Sequence, residues 1–197
     1  MRFSSRETRD LWKAGIFISL AFAILLAGGL RGILALNASF IFIFGIAFAT
    51  AGLGFLLHEL MHKIVAQRYG LRAEFHAFMP MLWLALLLSF FGFIFAAPGA
   101  VFISGLVTRE RNGKISVAGP LTNIALALLF LLLFFVSSDG LLHATAAYGW
   151  SINALLAAFN MIPVMPLDGA KVLAWHKGVY AATMVLALVL YLATFFT

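Results

Sequence analysis

The sequence predicts an all-α polytopic membrane protein of about six hydrophobic segments, five of them full spans and one re-entrant. Three observations carry this. Of the 197 residues, 64% are hydrophobic and only 10% are charged, whereas a soluble domain has about a quarter charged residues. A water-soluble core of this size cannot hide so much apolar surface. The apolar residues are gathered into runs able to cross a hydrocarbon core of ~30 Å as helices of ~20 residues. The 13 Lys and Arg fall mainly in short stretches between those runs, as positive-inside topology requires. The net charge of +6 and pI near 10.1 therefore reflect membrane orientation, and no nucleic-acid partner is expected. The chain has no Cys, so any metal site must use His, Asp or Glu.

Each segment has its own signature. Residues 14–30 follow Arg2, Arg6, Arg9 and Lys13; no A-x-A site comes after them, so they read as an uncleaved first span. The second run begins near Asn37 and Ser39, both good N-caps, and continues past His58 to about Val65. Residues 115–138, 144–167 and 178–197 supply three more spans. The odd segment is 77–108, with 32 uncharged residues interrupted by Pro80, Gly92, Pro98, Gly99 and Gly105. Two spans and a turn need more than ~40 residues. Lys63, Arg68 and Arg72 follow the second run, Arg109, Arg111 and Lys114 follow the odd one, and Lys171 and Lys177 precede the last. The loop 139–146 has no Lys or Arg. A cytoplasmic N-terminus puts all three basic loops in the cytoplasm only if 77–108 crosses an even number of times, hence the re-entrant expectation. Trp12, Trp83, Trp150 and Trp175 read as interfacial anchors near span ends.

Two pieces have strand character. Arg72, Glu74 and His76 alternate with Ala73, Phe75 and Ala77, a period of two, and residues 98–105 (PGAVFISG) are short, apolar and rich in β-formers.

Chemistry concentrates in His58-Glu59-Leu60-Met61-His62, an H-E-x-x-H sequence. On a helix the two His share a face and can hold one Zn²⁺, with Glu59 beside them as general base. A chain with 5 His and 4 Glu has this pattern by chance roughly 0.0025 times. An ionisable group facing lipid costs at least ~2.5 kcal/mol, so three together in an apolar run mark a site. His58 lies about 28 Å along an ideal helix from Ser39, near the cytoplasmic end of its span. A catalytic zinc takes a third protein ligand. The candidates are Asp168, His76, His143, His176, Glu74, Glu110 and Asp139. Asp168 stands out because Pro163 and Pro166 break the helix before it and Gly169 permits a turn after it. His143 reads as solvated, His176 as facing the headgroups, and His76 as paired with Glu74. Asn123 and Asn160 read either as oxyanion or substrate donors or as interhelical hydrogen-bond formers. Gly52 and Gly54 read as close-packing positions just before the site.

These motifs resemble the site-2 protease family of intramembrane zinc metalloproteases. His58-Glu59-Leu60-Met61-His62 is similar to the family's first signature. Asn160-x-x-Pro163-x-x-Pro166-Leu167-Asp168-Gly169 is similar to its second, and Ala118-Gly119-Pro120-Leu121-Thr122-Asn123 to a G-P-x-x-N stretch between them. Met61 stands where relatives often carry Gly, and a long apolar insertion follows Tyr69-Gly70. The resemblance implies one Zn²⁺ per chain on His58, His62 and Asp168, Glu59 as general base, and membrane-associated strands beside the active site. It implies a single protease domain over residues 1–197, with a catalytic core at about 37–170. The reaction implied is hydrolysis of peptide bonds within or next to transmembrane segments of membrane-protein substrates, in regulated intramembrane proteolysis. The lipid bilayer is the other partner, and a multi-pass location in a prokaryotic plasma membrane is expected. A metal or proton transporter using the same His, Glu and Asp is the alternative; it needs a polar route on both sides of the metal, and these groups cluster mostly on one.

Overall fold

A computed structural model describes residues 3–34, 39–94 and 98–196. Its first helix starts earlier than the apolar run, and a local interaction explains why. Ser4 and Glu7 form the S-x-x-E pattern of a capping box, and Ser4 Oγ accepts the Glu7 N–H at 3.1 Å. Helix α1 (Ser5–Leu26) grows from that cap and is followed by a short α2 (Leu30–Leu34). Ser39 opens α3 (Ser39–Ala47), which passes through a wider π turn at Phe48–Gly52 into α4 (Leu53–Arg68). The N-cap expected at Asn37 lies outside the described residues. Strand β1 (Arg72–Ala77), α5 (Met79–Ser89) and β2 (Gly99–Ser104) come next. Then follow α6 (Arg109–Val136), α7 (Gly140–Asn160), α8 (Asp168–Trp175) and α9 (Lys177–Ala193).

Among the described residues, two continuous helical stretches are long and apolar enough to cross a membrane, Ser39–Arg68 and Arg109–Val136. Met79–Ser89 and Lys177–Ala193 are apolar but shorter. Both expected strands are present and pair in a two-stranded sheet. Among its described residues the odd segment contains one helix, of 11 residues, about 16 Å long. Phe78 N–H donates to the Pro98 carbonyl at 3.0 Å, so the chain leaves the sheet and returns to it at one point.

The chain divides into two compact units, Met1–Leu56 with Glu74–Phe102, and Leu57–Ala73 with Ile103–Thr197. In the first, Gly52 lets the π turn approach α1: a Cβ there would stand 2.2 Å from Ser19 Oγ. That is the close packing expected of Gly52. Successive N–H groups of a strand point to opposite sides, so those of Phe75 and Ala77 share one. On β1, Phe75 N–H donates to Glu7 Oε1 at 2.9 Å and Ala77 N–H to Asp10 Oδ2 at 3.4 Å. Helix α1 thus supplies carboxylates to one edge of the sheet. Glu74 accepts from Ser4 Oγ. The His76–Glu74 pair expected from sequence is replaced by an edge-to-face contact of His76 with Phe102, and His76 Nδ1 is buried with no hydrogen-bond partner among the described residues.

The second unit is a helical packing of α6, α7, α8 and α9 with most of α4. Ala127, Ala154, Ala157 and Ala187 are fully buried among Ile124, Trp150 and Leu190. Small residues at these contacts let backbones approach, which is how apolar helices associate without a hydrophobic drive between them. Trp150 corrects the anchor assignment: it is 2% exposed and its indole N–H donates to the Leu190 carbonyl at 3.0 Å. Trp12 and Trp83 are exposed, as anchors are. Thr108 caps α6 by accepting the Arg111 N–H. Lys63 is a second correction: it lies within α4 and is 2% exposed, so the basic stretch after the second run rests on Arg68 and Arg72.

Candidate metal centre

An i, i+4 spacing puts His58 and His62 on one face of α4, with their Nε2 atoms 3.0 Å apart. The third donor arrives from the other end of the sequence. Met161 caps α7, residues 161–167 form a turn containing both prolines, and Asp168 is the first residue of α8. Asp168 Oδ2 lies 3.3 Å from His58 Nε2 and 3.0 Å from His62 Nε2. The three donor atoms lie within 4.8 Å of one another, and all three residues are buried. Asp168 is thus the candidate that the fold delivers to the two imidazoles. His143 and His176 take local roles instead. His143 donates to the Ser137 carbonyl and stacks on Phe134, so it is half-buried rather than solvated; His176 caps α9 by accepting the Val179 N–H.

The outer nitrogens explain what these groups can do. His62 Nδ1 lies 2.8 Å from the Ile115 carbonyl, which can only accept, so Nδ1 carries the proton and Nε2 a lone pair. Pro120 has no N–H for the Ser116 carbonyl, so the α6 ladder is interrupted in this same region. His58 Nδ1 lies 2.6 Å from Asn123 Oδ1. Two imidazole lone pairs and a carboxylate then face one point at mutual distances of 3.0–3.3 Å. Such a cluster is self-repelling unless a cation sits among it. A tetrahedral ion with bonds of about 2.0–2.1 Å has ligand atoms about 3.3–3.4 Å apart. The donors present fit that geometry. Gly119 on α6 leaves the room: a Cβ there would lie 2.5 Å from both Nε2 atoms.

Burial opposes charge on Asp168, and a metal ion among these three donors would hold its carboxyl ionised. Lys171, one turn along α8, contacts its other oxygen at 3.4 Å. Glu59 is 8% exposed on α4, beside both imidazoles in sequence. Asn123 is fully buried, with its Nδ2 donating to Asn153 Oδ1 at 3.0 Å. Of its two sequence readings, the interhelical hydrogen bond is the one seen. Asn160 Nδ2 donates within its own helix to the Leu156 carbonyl. Sequence reasoning missed Asn153, Lys171 and the space-making role of Gly119. The i, i+3 spacing from Asp168 was a usable signal for Lys171; a single Asn in an apolar helix gave none for Asn153.

Comparison with known proteins adds three relatives. The chain is 43% identical over 183 residues to MJ0611 of Methanocaldococcus jannaschii, assigned by name as a zinc metalloprotease; the match covers 91% of this chain and 90% of that protein. It is 28% identical over 123 residues to the zinc metalloprotease MJ0392 of the same organism, covering 60% of this chain and 30% of the relative. It is 32% identical over 120 residues to Rip3 of Mycobacterium tuberculosis, also assigned by name as a zinc metalloprotease, covering 59% and 27%. The chain thus spans under a third of the length of these last two. No family model and no solved structure matches it.

Proposed function

The chain belongs to the site-2 protease family of zinc metalloproteases, and from that premise we propose that it hydrolyses peptide bonds within or next to transmembrane segments of membrane-protein substrates. One zinc per chain is held by His58, His62 and Asp168. The observation that carries the reading is the buried convergence of these three donors on a space kept open by Gly119, beside Glu59 and within the long apolar helix Ser39–Arg68. When bound, zinc supplies Lewis acidity that lowers the pKa of water and polarises a carbonyl. Glu59 takes the proton of the attacking water and returns it to the leaving amine. Asn123 and the Ile115 carbonyl hold the imidazoles in orientation. Asn160 Nδ2 carries two N–H groups, so oxyanion donation from it does not require the bond to the Leu156 carbonyl to break.

The protein sits in a prokaryotic plasma membrane as one multi-pass protease domain with a cytoplasmic N-terminus. Helices α1, α6, α7 and α9 and the stretch Ser39–Arg68 serve as spans, and the excursion between Phe78 and Pro98 as the re-entrant segment. Support for re-entry is the short α5 and the hydrogen bond that brings the ends together. A substrate helix must unwind to expose its peptide bonds. An extended chain adds most readily at the outer edge of β2, because α1 carboxylates hold the exposed N–H groups of β1. Proline substitutions along the outer edge of β2 are expected to slow cleavage of a single-span reporter; unchanged cleavage would remove β2 as the docking edge.

The site is tested without knowing the substrate. Protein purified in detergent is expected to contain about one zinc per chain, and Asp168→Ala much less. Zinc-free, folded wild-type protein would overturn the assignment. Undiminished zinc in Asp168→Ala would move the third ligand elsewhere.

A further inference from the structure

We propose that Asn153 is a positioning residue for the metal ligand His58, acting through Asn123. This rests on the metal-site reading above. The Gly149 carbonyl can only accept a hydrogen bond, and Asn153 Nδ2 lies 2.9 Å from it. The Asn153 amide therefore turns its NH₂ to Gly149 and its Oδ1 the other way. That Oδ1 is 3.0 Å from Asn123 Nδ2 and accepts from it. Asn123 in turn presents its Oδ1 to His58 Nδ1 at 2.6 Å. An acceptor at that point fixes the proton on Nδ1 and leaves the Nε2 lone pair facing His62 and Asp168.

One backbone carbonyl on α7 thus sets the tautomer of a ligand on α4, through two side-chain amides. His58, Asn123 and Asn153 are 5%, 0% and 0% exposed, so bulk water does not compete for these bonds. His62 receives the same instruction in one step, directly from the Ile115 carbonyl. The two ligands therefore differ in what they depend on. Without Asn153, the Asn123 amide loses the acceptor that draws its NH₂ away from His58, and the turned-over form that offers NH₂ to Nδ1 gains in population. The favoured imidazole proton then moves to Nε2, where it blocks ligation.

The test compares wild type, Asn153→Leu and Asn153→Asp in detergent. Zinc affinity is measured by chelator competition, and the cobalt-substituted proteins are examined by NMR for the shifted, exchangeable imidazole N–H signals. Asn153→Leu, close to isosteric, is expected to weaken zinc by about 10–100-fold, the range for loss of a group that orients a ligand. Its His58 N–H signal should broaden or vanish while that of His62 persists. Asn153→Asp should restore both readouts towards wild type, since a carboxyl oxygen still accepts from Asn123 and the protonated acid can donate to Gly149. A role confined to packing would give no ligand-selective loss and no rescue by Asp. Wild-type affinity in Asn153→Leu, or persistence of both N–H signals, would overturn the relay. Asn153→Ala, judged by the same readouts, replaces the leucine variant if that does not fold. Wild type that binds no stoichiometric metal would sink the metal reading and the relay with it; a loaded wild type with indifferent variants sinks the relay alone.

Discussion

A Gly119→Ala chain is expected to fold and to lose its zinc. The added methyl would stand 2.5 Å from the Nε2 atoms of both His58 and His62, well inside van der Waals contact. Neither ring can retreat, because each is tied from behind, His58 to Asn123 at 2.6 Å and His62 to the Ile115 carbonyl at 2.8 Å. Relief must come from moving the ligand atoms or α6 itself, and metal sites tolerate errors of only about 0.2 Å in ligand distance. Affinity should fall by at least about 100-fold, the upper end of what losing a supporting group costs. Gly113→Ala is the control on the same helix: its Cβ would meet the Trp175 side chain at 2.3 Å, so the damage falls on packing. Zinc per chain and thermal stability in detergent separate the two. A full zinc complement in Gly119→Ala would show that the metal does not lie against α6.

Glu59→Gln is expected to do the opposite, keeping about one zinc per chain while losing cleavage. Gln preserves the size of the side chain but cannot carry a proton from water to the leaving amine. General acid–base catalysis contributes about 10²–10⁴-fold, and cleavage of a single-span reporter in liposomes should fall by that order. Glu59 is not among the three convergent donors, so zinc content should hardly change. Zinc lost together with activity would recast Glu59 as part of the metal's support. Cleavage that survives in Glu59→Gln would assign the base to another group.

Much of the site was legible because it is local in sequence. Four residues of helix place His58 over His62 whatever surrounds them. Two prolines ahead of Asp168 announce a helix end without knowledge of its neighbours. The period-two alternation of Arg72, Glu74 and His76 likewise identified a strand from six residues. What could not be read depends on which helix faces which. Asn153 has no local signature, since an Asn in an apolar helix can serve any neighbour; its meaning comes from Asn123 on α6. Trp150 reads as an anchor because position along an apolar run does not reveal which face is turned inward, and it is turned to Leu190. Lys63 reads as a loop charge because apolarity falls off before the helix ends: α4 runs on to Arg68.

Glu7 and Asp10 have a consequence for how the chain behaves before and after folding. An unguarded strand edge is a template on which a second molecule can grow, and aggregation often begins there. Here the first helix covers the N–H groups of Phe75 and Ala77 with two carboxylates, which satisfy the backbone while offering no strand for propagation. The polar opening of α1 thus caps this edge against addition of a second strand. Shortening the N-terminus to the start of the apolar run would remove Glu7 and Asp10 together and trade a trimmed tail for an open edge.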